Sequence, residues 1–289
     1  MDESRRKLSS FHEFGKALKK NPLSLGGLGV IVALIITAVV APYVAPYDPY
    51  TTEPLKKLGE LSFSHPLGTD QLGRDVLSRL LYGARISLWI AIIVAGLAGV
   101  TGTVIGILCG YFGGGIDNLL MRVTDMFMAF PQLILAMAIS AALGPSLQNV
   151  VIAISMTEWT FFARLARSRA IAVREEGFVE AARAMGTGQW RILFRHVLPM
   201  CISPVIIQTT LEMGGIIRTA ASLGFLGLGA QPPTPEWGVM VTAGRNYLPG
   251  QWWVSTFPGL AIFSTVLGFN LLGDGIRDIL DPKLRRIRK

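Results

Sequence analysis

Six stretches of this chain are each long and apolar enough to cross a lipid bilayer, at about 23–45, 84–110, 117–142, 146–167, 199–222 and 252–276. A hydrocarbon core of roughly 30 Å takes about 20 apolar residues in a helix. The pattern predicts an all-α, polytopic membrane protein with six transmembrane helices. Composition agrees: of 289 residues, 51% are hydrophobic and 16% charged, where a soluble domain carries about a quarter charged residues. The stretch 146–167 is the most polar, holding Glu158 and running into Arg164, Arg167 and Arg169, so it is expected inside the bundle. The first stretch follows a basic leader and is too long for the apolar part of a signal peptide, so it reads as a retained anchor.

Basic residues set the orientation. The leader holds six (Arg5, Arg6, Lys7, Lys16, Lys19, Lys20), the segment Arg164–Arg195 holds seven, and the tail from Lys283 holds five. With six spans and both termini in the cytoplasm, all three clusters lie on the cytoplasmic side, as the positive-inside rule requires. Lys56, Lys57, Arg74 and Arg79, in the loop after the first span, are a modest violation. The expected location is the cytoplasmic membrane, multi-pass. The net charge of +8 sits beside apolar runs rather than in a basic, aromatic-interleaved patch, which argues against nucleic acid. Cys109 and Cys201 lie in apolar runs and form no disulfide framework.

Three regions follow: 1–83 (cytoplasmic leader, first helix and outer loop), 84–276 (a core of five helices with a cytoplasmic loop at about 168–198) and 277–289 (a basic cytoplasmic tail). Two outer loops are long, Pro46–Gly83 and Gly224–Gln251, and the prolines of GAQPPTPEWG exclude a continuing helix there. GYFGGG, at 110–115, reads as a turn between spans. Gly102, Gly106 and Gly110 give span two a face for close helix approach.

Between Gly177 and Pro199 the chain reads as two short amphipathic helices around Gly186-Thr187-Gly188, whose glycines tolerate positive φ. Phe178, Ala182 and Met185 fall on one face of the first. Trp190, Leu193, Phe194 and Val197 do so in the second, with Arg183, Arg191 and Arg195 off these faces. Periodicity alone leaves two readings open, a connector resting on the membrane surface and a docking surface for a partner. Asp125, Glu158, Glu212 and Arg218 lie in or near spans, where a charge normally faces a cavity or a partner. Glu158 and Glu212 are therefore candidate pathway residues beside a structural pairing role. Asp70 and Arg74 in HPLGTDQLGRD, and Trp237 in the second outer loop, are candidate contacts for an extracytoplasmic protein beside a bundle-capping role. His12, His65 and His196 are scattered and form no metal-ligand cluster. No GxxxxGK[ST] phosphate loop exists in the sequence.

Glu180-Ala181-Ala182, with Gly186 six residues after the glutamate and then Leu198-Pro199, resembles the EAA loop of permease subunits in type I ABC importers. His196 departs from the usual isoleucine. HPLGTDQLGRDVLSRLLYGARISL, GYFGGGIDNLLMRVTDMFMAFP, LGFLGLGAQPPTPEWG and FPGLAI…NLLGDGIRDILDPKL extend the likeness over most of the chain. Together they are similar to the C-type permease of the dipeptide, oligopeptide and nickel branch.

This resemblance implies the type I ABC importer permease fold and a coupling role for Glu180, Ala181, Ala182, Gly186, Leu198 and Pro199. It implies a homologous second permease, two cytoplasmic ATPase subunits carrying ATP and magnesium, and a solute-binding protein outside. The chain itself is expected to hold no cofactor, no metal and no catalytic residue, and to be no enzyme. Short peptides are the expected cargo, with nickel or a metal–metallophore complex as the alternative. A self-contained secondary transporter would favour inverted repeats and paired broken helices, of which the sequence gives no sign. An intramembrane enzyme would need a nucleophile–base pair or metal-ligand spacing, also absent from the sequence.

Overall fold

The computed structural model describes residues 22–280; the leader and tail arginines and lysines, and His12, lie outside that range. Ten α-helices account for most of the described chain, and no strand is present among the described residues. They are α1 (Pro22–Val44), α2 (Val76–Phe112), α3 (Gly114–Met128), α4 (Gln132–Leu143), α5 (Leu147–Arg174), α6 (Gly177–Ala184), α7 (Gln189–Ile192), α8 (Leu198–Phe225), α9 (Trp237–Gly244) and α10 (Trp253–Leu280). In lipid every backbone N–H and C=O must be satisfied within the chain, and an α-helix does this within one segment. Four helical runs are long and apolar enough to span singly: α1, α2, residues 189–225 and α10.

The run expected as one span at 117–142 is two helices. α3 and α4 meet at 90°, because Pro131 stands at the N-cap of α4. Proline lacks an N–H and disfavours helical geometry in the residue before it, here Phe130. The most polar stretch, α5, is a helix of 28 residues that buries Thr157, Glu158 and Thr160. Ser146 caps it, its hydroxyl accepting from the Asn149 N–H at 3.0 Å, which satisfies one of the unpaired donors of the first turn.

The chain divides into two compact units that interleave along the sequence, and both α2 and α8 contribute residues to each. In the first unit (residues 22–88, 210–218 and 235–280), α1 packs on α10. The buried positions of α1 are Ser24, Gly27, Ile31, Leu34, Ala38 and Ala41, a seam alternating by three and four residues. A side chain at Gly27 would collide with the backbone of α10 at Gly268 and Leu272, and one at Gly275 with Ser24. Small residues let the helices close where lipid supplies no hydrophobic drive for their association.

In the second unit (89–209 and 219–234) the same device joins α2 to α5. A Cβ at Gly102 would strike the Trp159 carbonyl and Ala163 N, at Gly106 the Ala163 carbonyl and Ala166, and at Gly110 the Arg167 carbonyl and Ala170. The glycine stripe is therefore used within the subunit. Arg167 holds Asp117 of α3 through two bonds of 2.6 and 2.7 Å, and Arg164 reaches Asp125 at 2.6 Å. The GYFGGG segment is the α2–α3 turn, with φ +66° at Gly113 and +71° at Gly114. Cys109 and Cys201 are buried free thiols.

Candidate coupling site

Residues 176–199 form a helical hairpin. α6 starts beyond Glu176 and carries Glu180 in its first turn and Arg183 in its last, each sign complementing the nearby end of the helix dipole. Its C-terminus closes as a Schellman motif. Gly186 N–H donates to Arg183 O at 3.0 Å and Thr187 N–H to Ala182 O at 3.1 Å. The residue at C′ in that motif is left-handed, and Gly186 has φ +78°. Gly188 does not use its freedom, since its φ is −61°.

After α7 the backbone widens into a π-helical turn over Leu193–Val197, where the Leu198 N–H reaches Leu193 O. Leu198 and Pro199 then begin α8, with Pro199 in its first turn. The proline lacks an N–H and so removes one donor from the helical run where the π-helical turn ends.

The apolar contents of the hairpin differ from the faces expected by periodicity. Val179 and Ala182 of α6, with Ile192, Leu193 and Val197, are buried in one cluster against Ile107 and Tyr111 of α2, Ala166, Ala170 and Val173 of α5, and Cys201. Phe178, Met185, Trp190 and Phe194 are exposed instead. The cause is tertiary: Val179, Ala182, Ile192, Leu193 and Val197 meet the side chains that α2 and α5 present, and the larger Phe178, Trp190 and Phe194 turn outward. Full burial of an aliphatic side chain such as Ile192 contributes about 1.5–3 kcal/mol.

The residues singled out by the EAA resemblance therefore divide by exposure. Glu180, Ala181, Gly186 and Pro199 are exposed, Leu198 is half-buried, and Ala182 faces inward. Glu180 makes no salt bridge among the described residues, and Arg183, Arg191 and Arg195 are equally exposed and without one. The outcome is a rigid apolar floor under a surface carrying both charge signs.

The other candidate residues lie elsewhere. Glu158 is 1% exposed and accepts a hydrogen bond from the Gln132 amide at the start of α4. Glu212 is half-buried on α8, and Arg218 is exposed. In the first unit, Asp70, Arg74 and Trp237 are 4, 4 and 3% exposed, so their side chains hold the loops together and present little to a partner. Asp70 takes Arg74 Nε at 2.7 Å and lies 3.5 Å from Arg79 Nε. Arg79 also donates to the Pro49 carbonyl at 2.9 Å, and Trp237 Nε1 donates to Leu80 O at 3.0 Å.

Asp75 completes this node, accepting from Ser78 at 2.7 Å and bonding His65 Nδ1 at 3.0 Å. Two members escaped the sequence reading: Arg79, counted only as a misplaced charge, and Trp253, whose ring nitrogen reaches Thr69 O at 3.4 Å. α9 escaped it too, since its N-cap is Glu236 where serine, threonine, aspartate or asparagine is the usual start signal. The Glu236 carboxylate accepts from the Gly238 and Val239 N–H groups at 2.9 Å each. Burial nevertheless pushes this carboxyl up from its ordinary value, with those two bonds opposing the shift.

Long apolar helices, a helix pair broken at mid-run and a charged hairpin between two spans together define a multi-pass membrane transport subunit. The chain belongs to the family described as the binding-protein-dependent transport system inner membrane component, which matches residues 102–286. A second profile, the N-terminal transmembrane domain of oligopeptide transport permease C, matches residues 9–61. The chain is 46% identical over 278 residues to a dipeptide transport system permease protein DppC of Alkalihalophilus pseudofirmus, covering 96% of this chain and 91% of the relative. It is 44% identical to a probable D,D-dipeptide transport system permease protein DdpC of Escherichia coli, covering 92% and 89%. Against a glutathione transport system permease protein GsiD of Pectobacterium atrosepticum the identity is 43%, covering 95% and 92%. Among solved structures, a chain of the inward-facing MetNI methionine ABC transporter aligns with a TM-score of 0.56 at 19% identity, covering 70% of this chain and 97% of that one. This last likeness speaks to the fold alone.

Proposed function

We propose that this permease subunit forms half of the pathway of an ATP-driven importer of di- or oligopeptides. Its partners are a homologous second permease, two cytoplasmic ATPase subunits holding ATP and magnesium, and an extracytoplasmic solute-binding protein. The observation that carries the reading is the hairpin. Its core is closed and the C-terminus of α6 is capped, yet Glu180 and Arg183 stand exposed without guanidinium or carboxylate partners among the described residues. Such a surface is built to be met by another protein.

In this reading α6 and Gly186 seat in a cleft of the ATPase. Ala181 allows close approach from outside, while Ala182 allows it from within. Closure of the ATPase pair is then passed through the hairpin floor to α2 and α5 as a population shift between two arrangements of the spans. The relatives named above carry dipeptides, D,D-dipeptides or glutathione, which supports short peptides over nickel or a metallophore complex. Glu212 remains the candidate pathway charge, and Glu158 serves α4 through Gln132. Of the four basic residues that opposed a cytoplasmic hairpin and cytoplasmic termini, Lys56 is paired with Glu53, and Arg74 and Arg79 share Asp70. A secondary transporter with inverted repeats needs broken helices in matching pairs, whereas among the described residues one helix pair is broken in this way.

The test is Glu180→Lys in the reconstituted transporter. Binding-protein-stimulated ATP hydrolysis should fall at least tenfold while the variant still inserts in the membrane. Hydrolysis at the wild-type rate would remove the hairpin from the coupling route. Mass spectrometry of the ligand on the copurified binding protein separates peptide from metal complex, and ion-gradient-driven transport by the chain alone would overturn the importer reading.

A further inference from the structure

We propose that the face of the hairpin formed by α7 and the π-helical turn after it holds the headgroup of an anionic phospholipid. Trp190 and Phe194 lie one turn apart with their rings stacked, centroids 6.1 Å apart at 20°. Arg191 and Arg195 form the adjacent row at the same spacing. These four side chains line a shallow, open depression of the surface. Phe112, the last residue of α2, meets the Trp190 ring edge-on at 5.3 Å, which fixes the aromatic wall. The rings are 60 and 61% exposed, so the wall is not part of the hairpin core beneath it.

Charge names the occupant. Neither guanidinium has a carboxylate partner among the described residues, so two like charges stand side by side until an anion joins them. Arginine is suited to phosphate because its planar fork of donors matches two oxygens at once. The aromatic row beside it needs apolar cover. A ligand with a phosphate at one end and hydrocarbon at the other satisfies both rows, and a lipid is such a ligand.

Depth agrees. Residues 189–225 form one helical run of 37 residues with an apolar stretch within it, about 55 Å long at 1.5 Å per residue, against a hydrocarbon core of roughly 30 Å. Centring the run leaves about eight residues beyond the core at each end, which puts 190–195 at headgroup level. Tryptophan is enriched at that level, and basic pockets at the cytoplasmic side receive anionic headgroups. The proposal rests on the cytoplasmic placement of the hairpin given above. It assigns lipid to α7 and leaves α6 for the ATPase.

The assembled transporter, stripped of lipid and offered phosphatidylglycerol or phosphatidylcholine in mixed micelles, is read by native mass spectrometry. Phosphatidylglycerol should be retained and phosphatidylcholine lost, and millimolar inorganic phosphate should not displace the retained lipid. Arg191→Ala with Arg195→Ala should lower retention about 30-fold, from two basic contacts at the interface, while Arg191→Lys with Arg195→Lys keeps most of it. Equal retention of the two lipids, or unchanged retention in the alanine pair, would overturn the proposal. So would displacement by phosphate, which marks a simple anion site. Loss of the ATPase from the alanine pair with lipid retention intact would assign this face to protein docking. If Glu180→Lys keeps full coupling while the alanine pair still sheds lipid, the coupling reading fails and the lipid site stands.

Discussion

The hairpin at 176–199 and the loop at 45–79 are both ordered non-spanning segments, and they are built in opposite ways. The loop buries its charge: Asp70, Arg74, Arg79, Asp75 and His65 are all inside, while Leu55 and Phe63 are fully exposed. The hairpin buries Val179, Ile192, Leu193 and Val197 and keeps its charge outside. In the loop, ion pairs supply the fold, because a segment with few apolar residues to bury must close on polar bonds. In the hairpin, apolar contact supplies the fold and the charges remain available. Charge is therefore scaffold in one region and left at the surface in the other.

The largest way to break this contrast is Asp70→Ala. It leaves Arg74 and Arg79 buried without their carboxylate, and loss of one partner of a buried pair costs about 3–5 kcal/mol. A clear fall in the thermal unfolding midpoint in detergent is expected. Replacing Asp70 and Arg74 together by leucine and methionine should recover part of it. An Asp70→Ala protein as stable as wild type would mean the node is not the loop's fastening.

Val179→Ala is the matching cut in the hairpin. Two lost methylene equivalents and the cavity left behind cost about 2 kcal/mol, whereas Glu180→Lys on the neighbouring surface should change stability by less than about 0.5 kcal/mol. Equal stability losses in these two variants would erase the division between floor and surface.

The smallest effect belongs to Glu236. Its folded-state pKa is raised by burial, so between its ordinary value near 4.5 and that raised value the folded state binds more protons than the unfolded. Stability then falls as pH rises through the window, and the full unfavourable contribution is present above it. Glu236→Gln should flatten this slope in unfolding curves taken from pH 7 downward. A slope unchanged by the substitution would show that another group titrates there.

Much of this was legible in residues with one physical use. Gly186 had to sit where φ is positive, and Gly102, Gly106 and Gly110 had to sit where another helix passes. The α3–α4 break was written in Pro131, but a count of apolar residues passes over a proline. The inward choice of Val179 over Phe178 was not legible, since both faces of an eight-residue helix carry apolar side chains and the shape of the floor decides between them. Nor was the burial of Asp70, Arg74 and Trp237. Arg79 comes to Asp70, and Leu80 to Trp237, only when the loop closes, and an isolated charge in a loop reads as solvated.

The glycine contact between α2 and α5 has a mechanical meaning. Side chains are the slack in a joint between helices, because a rotamer can swing and absorb a displacement of an ångström. At Gly102, Gly106 and Gly110 one backbone rests on the carbonyls and small side chains of the other, and no rotamer stands between them. Under the coupling proposed above, a load arriving through the hairpin floor would meet a joint without backlash from Gly102 to Gly110.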